Sequence, residues 1–166
     1  MTKLSHLMFR GTEFLGTEHA ILCGAMSWVS ERNLVSAISN AGGFGVIACG
    51  AMTPELLDTE ITATKALTDK PFGVNLITMH PMLFDLIAVC AKHKVGHVVL
   101  AGGIPPKGSV EAIKEFGGKV SGVRAHAGAG QEAAAVRRRC AGDRGIGSRR
   151  PHRPCIHIGA GAGIPA

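Results

Sequence analysis

Residues 19–55 read HAILCGAMSWVSERNLVSAISNAGGFGVIACGAMTPE, and the alternation inside this stretch decides the fold class. It opens on a short apolar run, HAILCGA (19–25), closed by small residues, which reads as a buried strand. ERNLVSAISNAGG (31–43) then places Leu34, Ile38 and Ala41 at helical spacing, and Asn40-Ala41-Gly42-Gly43 supplies the stop. FGVIAC (44–49) is the next strand. Thr53-Pro54-Glu55 opens a second helix, with Thr53 as N-cap, Pro54 at the first helical position and an acid in the first turn.

The same unit recurs outward. TPELLDTEITATKAL (53–67) is a helix, FGVNLIT (72–78) a strand, and PMLFDLIAVCAKHK (81–94) a helix with the basic end its macrodipole favours. HVVLAG (97–102) is a strand and KGSVEAIKEFGG (107–118) a helix, capped by Ser109 and stopped by Gly117-Gly118. Lys119-Val120 begins a fifth strand. Short, continuously apolar strands joined by helices predict a parallel sheet, with right-handed crossovers laying the helices over it. A doubly wound sheet and part of an eight-fold barrel both satisfy the pattern. No GxGxxG follows the first strand. A complete barrel takes about 250 residues, so this chain would hold about half of one.

Composition narrows the setting. The 166 residues suffice for one domain with a core. Cys23, Cys49, Cys90, Cys140 and Cys155 form no CxxC pair, which suggests reduced thiols and a cytoplasmic chain. The opening MTKLSHLMFRGTEF lacks the apolar centre of a signal peptide, and no apolar run reaches membrane-span length, so no membrane partner is expected.

Charge divides the chain. Residues 1–120 carry eight Lys and two Arg against ten acids, and sum to zero. Residues 121–166 carry eight Arg against Glu132 and Asp143, which accounts for the whole net charge of +6. No Lys follows Lys119. The reading is therefore a partial β/α barrel over 1–120 and an Arg/Gly-rich tail over 121–166.

In either architecture ligands bind beyond the C-terminal ends of the strands. Those ends are CGAMSW (23–28), ACGAMT (48–53), GVNLITMHP (73–81) and LAGGIPP (100–106). Small residues there let a flat ligand or a phosphate approach the backbone. Asn75 offers amide donors and an acceptor that suit a flavin ring edge. Each glycine alone is equally a turn residue.

Taken together, the motifs resemble the nitronate monooxygenase family, formerly 2-nitropropane dioxygenases, and the related FMN-dependent enoyl-ACP reductases. They are Gly24-Ala25-Met26, Ser39-Asn40-Ala41-Gly42-Gly43-Phe44-Gly45 and Phe72-Gly73-Val74-Asn75-Leu76, with Cys23 where the family often has Gln. The resemblance covers roughly residues 15–120. It implies a TIM-type (β/α)8 barrel enzyme that holds FMN at its C-terminal face, here represented by the N-terminal half. Gly24, Ala25 and Met26 would line the flavin and Asn75 would hydrogen-bond it. Gly102 and Gly103 are further cofactor-binding candidates. It implies nitronate oxidation with oxygen, in which a His removes the proton α to the nitro group. The alternative is enoyl-thioester reduction with NAD(P)H. The small-molecule substrate would be a nitronate or an enoyl thioester. The family's catalytic His belongs to a later E-A-G-G-H-x-G motif that this chain lacks as written.

The tail explains that absence. SRRPHRPC (148–155) can be encoded AGC CGG CGG CCA CAT CGG CCC TGT. Read one base later, this gives Ala-Gly-Gly-His-Ile-Gly-Pro, and RGIG (144–147) before it permits Glu-Gly-Ser-Glu. The missing motif emerges in the expected place, which predicts a frameshift near residue 120. The competing reading is an arginine-rich arm binding nucleic acid weakly through phosphates, but the tail lacks interleaved aromatics for base stacking. Nucleic acid is therefore not expected as a partner. His80 reads as a solvated loop residue, and Cys49 and Cys90 as packing residues. A half barrel also leaves an open sheet edge that invites self-association.

Overall fold

The structure, a computed structural model, describes residues 3–124 and 157–159. In chain order the elements are α1 (Lys3–Leu15), α2 (Arg32–Asn40), β1 (Val46–Ala48), α3 (Pro54–Leu67) and β2 (Gly73–Ile77). They continue as α4 (Leu83–Lys92), β3 (His97–Ala101), α5 (Ser109–Glu115), β4 (Lys119–Arg124) and β5 (His157–Gly159). The strands form one sheet in the order β1-β2-β3-β4-β5, and every pair is parallel. A doubly wound sheet reverses its strand order at a switch point, whereas a barrel adds strands in sequence. The unbroken order settles the choice left open by the sequence in favour of the barrel.

The register separates two faces. Side chains alternate along each strand, and paired residues share a face. Val46, Gly73, His97 and Lys119 lie in one hydrogen-bonded row, and Ala48, Asn75, Val99 and Ser121 in the next. These rows form the concave face. Ile47, Val74, Leu76, Val98 and Leu100 point the other way, into a core shared with Val35 of α2, Leu57 and Ile61 of α3, Leu86 and Cys90 of α4 and Ile113 of α5. Fully burying an aliphatic side chain of this size contributes about 1.5–3 kcal/mol, so this convex core holds the helices to the sheet. Gly45 allows the closest approach: a Cβ there would stand 2.5 Å from the carbonyl oxygen of Val35.

Helix α2 starts where Glu31 accepts from the backbone N–H groups of Asn33 and Leu34, and α3 where Thr53 accepts from that of Leu56. Asp58 of α3 clamps α4 through Lys92 and His93, each at 2.7 Å. Ser109 is not the cap expected of it. It is the first residue of α5, Gly108 occupies the cap in a left-handed conformation, and the Ser109 hydroxyl donates to the carbonyl of Pro106.

Three further features depart from the sequence reading. Helix α1 was not expected. It carries Phe14 and Leu15 onto the concave face against Phe44, Val46 and Val99. The strand expected over 19–25 is a single bridge, Leu22 to Phe44. The turn that ends α2, with Gly42 at φ 85°, leaves Phe44 as the one ladder partner before β1 starts at Val46. Finally, β4 runs across the boundary drawn at residue 120, and β5 pairs with it from Gly122 to Arg124. The remainder of the tail expectation falls on residues 125–156 and 160–166, outside the described residues.

Candidate functional site at the strand ends

The loops after the strands converge on the concave rim. The segment 24–30 is tied down first. The Ser30 hydroxyl donates to the carbonyl of Gly24 at 3.2 Å and accepts from the N–H of Met26 at 3.0 Å. The carbonyl of Ser30 takes the N–H of Ala48 at the end of β1. Gly24 is open: nothing lies within 4 Å of where its Cβ would be. Ala25 is half-buried and Met26 is exposed.

Gly50 links this loop to the next strand. Its missing Cβ would meet Ser27 Oγ at 3.3 Å and Ile77 Cγ1 at 3.6 Å. Ile77 and Asn75 stand on the same face of β2. Asn75 is buried in the middle of the sheet, its backbone carbonyl accepts from the N–H of Cys49, and among the described residues its side-chain amide makes no hydrogen bond. Gly102 and Gly103 follow β3 with φ of 94° and 133°. A Cβ on Gly102 would fall 3.2 Å from Ile77 Cγ2 and 3.5 Å from Thr78 Oγ1.

The residues expected at the cofactor, Gly24, Ala25, Asn75, Gly102 and Gly103, all lie at or beyond the C-terminal halves of strands or in the loop 24–30 that is tied to the end of β1. Met26 rises from that loop into solvent. Thr78 was missed by sequence reasoning. Its hydroxyl is buried without a partner, and an unsatisfied buried donor demands an explanation. The hint available was its place at the end of FGVNLIT, on the strand that carries Asn75.

Cys49 and Cys90 are packing groups, as expected. Cys49 and Cys90 are fully buried, and desolvation pushes both thiols up to about 12. Nucleophilic use would need the opposite shift. His80 is half-buried just beyond β2, and its Nδ1 accepts from the N–H of Met82. Among the described residues no group of three or more His, Cys, Asp or Glu is placed to hold a metal, and no helix is long and apolar enough to cross a membrane.

Comparison with known proteins fits this geometry. The sequence profile described as nitronate monooxygenase matches residues 10–136. The chain is 51% identical over 65 residues to a (3aS,4S,5R,7aS)-5-hydroxy-7a-methyl-1-oxo-octahydro-1H-indene-4-carboxyl-CoA dehydrogenase of Mycobacterium tuberculosis, which is 39% of this chain and 18% of that protein. It is 42% identical over 72 residues to a nitronate monooxygenase of Pseudomonas aeruginosa, 43% of this chain and 20% of that one. Among solved structures, FabK from Thermotoga maritima superposes with a TM-score of 0.71 at 41% identity, covering 78% of this chain and 40% of that chain. The matched stretches thus span about a fifth of these curated relatives and two fifths of the solved structure.

Proposed function

The chain belongs to the nitronate monooxygenase family, and from that premise we propose that it carries the flavin-facing half of an FMN-dependent oxidoreductase that oxidises alkyl nitronates with oxygen. The observation that carries this reading is the concave face beside glycine-bearing strand ends, where the Thr78 hydroxyl is buried without a partner and the Asn75 amide makes no hydrogen bond among the described residues. A cofactor edge with its own donors and acceptors would satisfy both.

The surrounding residues fit a flat, polar-edged ring. Gly24 leaves the approach open, Gly102 and Gly103 keep the facing loop free of side chains, and the Thr78 hydroxyl waits without a partner. Bound FMN would supply the electron sink that lets a carbon acid be oxidised. Asn75 would fix the ring's orientation, Gly24, Ala25 and Met26 would line one side of it, and Ile77 would exclude water beneath. The proton-removing base is a His of the motif recovered by the shifted frame. We assign the chain to the cytoplasm on its thiol usage.

A second reading has its own support. The relatives at 51% and 48% identity are named as carboxyl-CoA dehydrogenases. Redox chemistry beside a thioester carbonyl needs the same flavin face and a different substrate mouth.

One experiment separates these. The coding DNA near codon 121 is sequenced, one base is deleted, and the restored protein is purified. It is expected to be yellow and to take up oxygen with propane-2-nitronate. Turnover with acyl-CoA and none with nitronate would select the second reading. Stop codons in the shifted frame would remove the frameshift account.

A further inference from the structure

A pocket of about 430 Å³ opens on the rim beside the flavin-facing surface, between the start of α2 and the start of α3. Trp28 stands at its mouth, 73% exposed and held at φ 64°. A bulky residue in the left-handed region is an outlier, and such conformations persist where the surroundings fix them, often at ligand clamps. Here the fixing is visible. The N–H groups of Val29 and Ser30 both donate to the carbonyl of Met26, and the Ser30 hydroxyl ties Met26 and Gly24 together. The loop throws the indole outward instead of folding it into a core.

The polar wall of the pocket is already spent. Both carboxylate oxygens of Glu60 are held by the Arg32 guanidinium, and one also takes the N–H of Arg32. Glu31 caps α2 and accepts from the Asn33 amide. Among the described residues of the lining, the one cation, Arg32, is paired with Glu60, and the Glu31 carboxylate is engaged by N–H groups of Asn33 and Leu34. What remains is apolar: Trp28, Met52 and Leu56.

We propose that this pocket receives the uncharged hydrocarbon part of the substrate, a chain or ring of roughly eight to fourteen heavy atoms, and that Trp28 is the residue that selects for it. At the roughly 30 Å³ that a water occupies in the liquid, 430 Å³ of this solvent-open cleft takes at most about fourteen heavy atoms. A three-carbon nitronate has six heavy atoms, so it leaves more than half the space empty. The proposal rests on the oxidoreductase reading for what becomes of the bound molecule, and on the pocket alone for its binding.

Trp28 is the only tryptophan of the chain, so its emission reports the pocket directly. The purified 166-residue protein is titrated with 1-nitrooctane and with nitroethane, without FMN. A saturating blue shift is expected with 1-nitrooctane at a concentration at least about tenfold lower than nitroethane requires, because each buried methylene is worth roughly a factor of four in affinity. Leu56→Asp and Leu56→Lys should each weaken that titration about tenfold or more, since either charge is foreign to a hydrocarbon. Circular dichroism establishes that both variants fold. Equal responses to the two nitroalkanes, no response to either, or a titration unchanged in both variants overturns the proposal. If FMN fails to bind the same sample while the 1-nitrooctane shift persists, the flavin reading falls and the pocket assignment stands.

Discussion

The two ends of this half barrel are built from the same strands and put to opposite uses. At the floor, Phe14 and Leu15 of α1 cover Phe44, Val46 and Val99, and the Phe14 carbonyl accepts from both His97 Nε2 and the Lys119 ammonium. The rings of Phe14 and Phe44 meet the His97 imidazole edge-on, with centroids 5.5 and 4.9 Å away. At the rim, the Thr78 hydroxyl is buried without a partner, as His97 Nδ1 is at the floor, the Asn75 amide makes no hydrogen bond among the described residues, Gly24 faces open space, and Met26, Trp28, Met79 and Ile104 are exposed. The floor is packed for stability. The rim keeps open surface, which the proposed reading gives to a ligand, and it gains little stability from its own side chains.

Substitutions should therefore cost stability at the floor and binding at the rim. The largest effect is expected from Phe44→Ala. Phe44 is fully buried between α1 and the sheet, and its truncation should cost about 3–5 kcal/mol in urea unfolding. A loss below about 1 kcal/mol would mean that α1 does not pack there. Gly73→Ala comes next. Its Cβ would meet Phe44 Cε1 at 2.9 Å, and overpacking of this kind costs about 1–3 kcal/mol. Combined with Phe44→Ala it should cost much less, since the clashing ring is gone.

A smaller effect distinguishes the floor by pH. Burial holds the His97 imidazole below its ordinary 6.5, with the Phe14 carbonyl opposing and nearby Lys119 adding to the shift. As pH falls below 6.5 the unfolded chain takes up the proton before the folded one does. Stability from this group is thus full above 6.5 and declines as pH falls, until the lowered folded value is reached. His97→Gln should remove that slope from a plot of unfolding free energy against pH, and an unaltered slope would place its source elsewhere. The smallest stability effect belongs to the rim: Asn75→Ala breaks no hydrogen bond within the described residues and should change stability by less than about 1 kcal/mol.

The same contrast sets what could be read in advance. The convex helices from α2 to α5 and strands β1 to β3 were legible within a few residues, because 3.6-residue spacing and short apolar runs are local signals. Thr53 as N-cap was read correctly for the same reason. Helix α1 was not legible. It contains Gly11, which serves close packing against Ala20, where a Cβ would stand 2.6 Å from that residue's own Cβ. That is a tertiary requirement that looks like a helix breaker in sequence. The strand over 19–25 looked complete because the sequence does not show that the Gly42 turn withholds its partners. The glycines and Asn75 of the proposed site are visible in the sequence as motif positions. Thr78 and Trp28 are not, because an orphaned hydroxyl and a positive φ exist only once the chain has folded.

The central claim is that the concave rim is the flavin-facing half of an oxidoreductase and that Asn75 is its polar anchor. It is tested most directly by titrating FMN into the 166-residue protein and its Asn75→Ala variant, following flavin fluorescence, with oxygen uptake on a nitronate measured alongside. The account predicts weak, saturable binding, loosened about tenfold by Asn75→Ala, as loss of a hydrogen bond of about 1.4 kcal/mol gives. It predicts no nitronate turnover, since absence of the general base alone costs about 10²–10⁴-fold. Tight, stoichiometric FMN binding that Asn75→Ala leaves unchanged, with robust oxygen uptake, would contradict it.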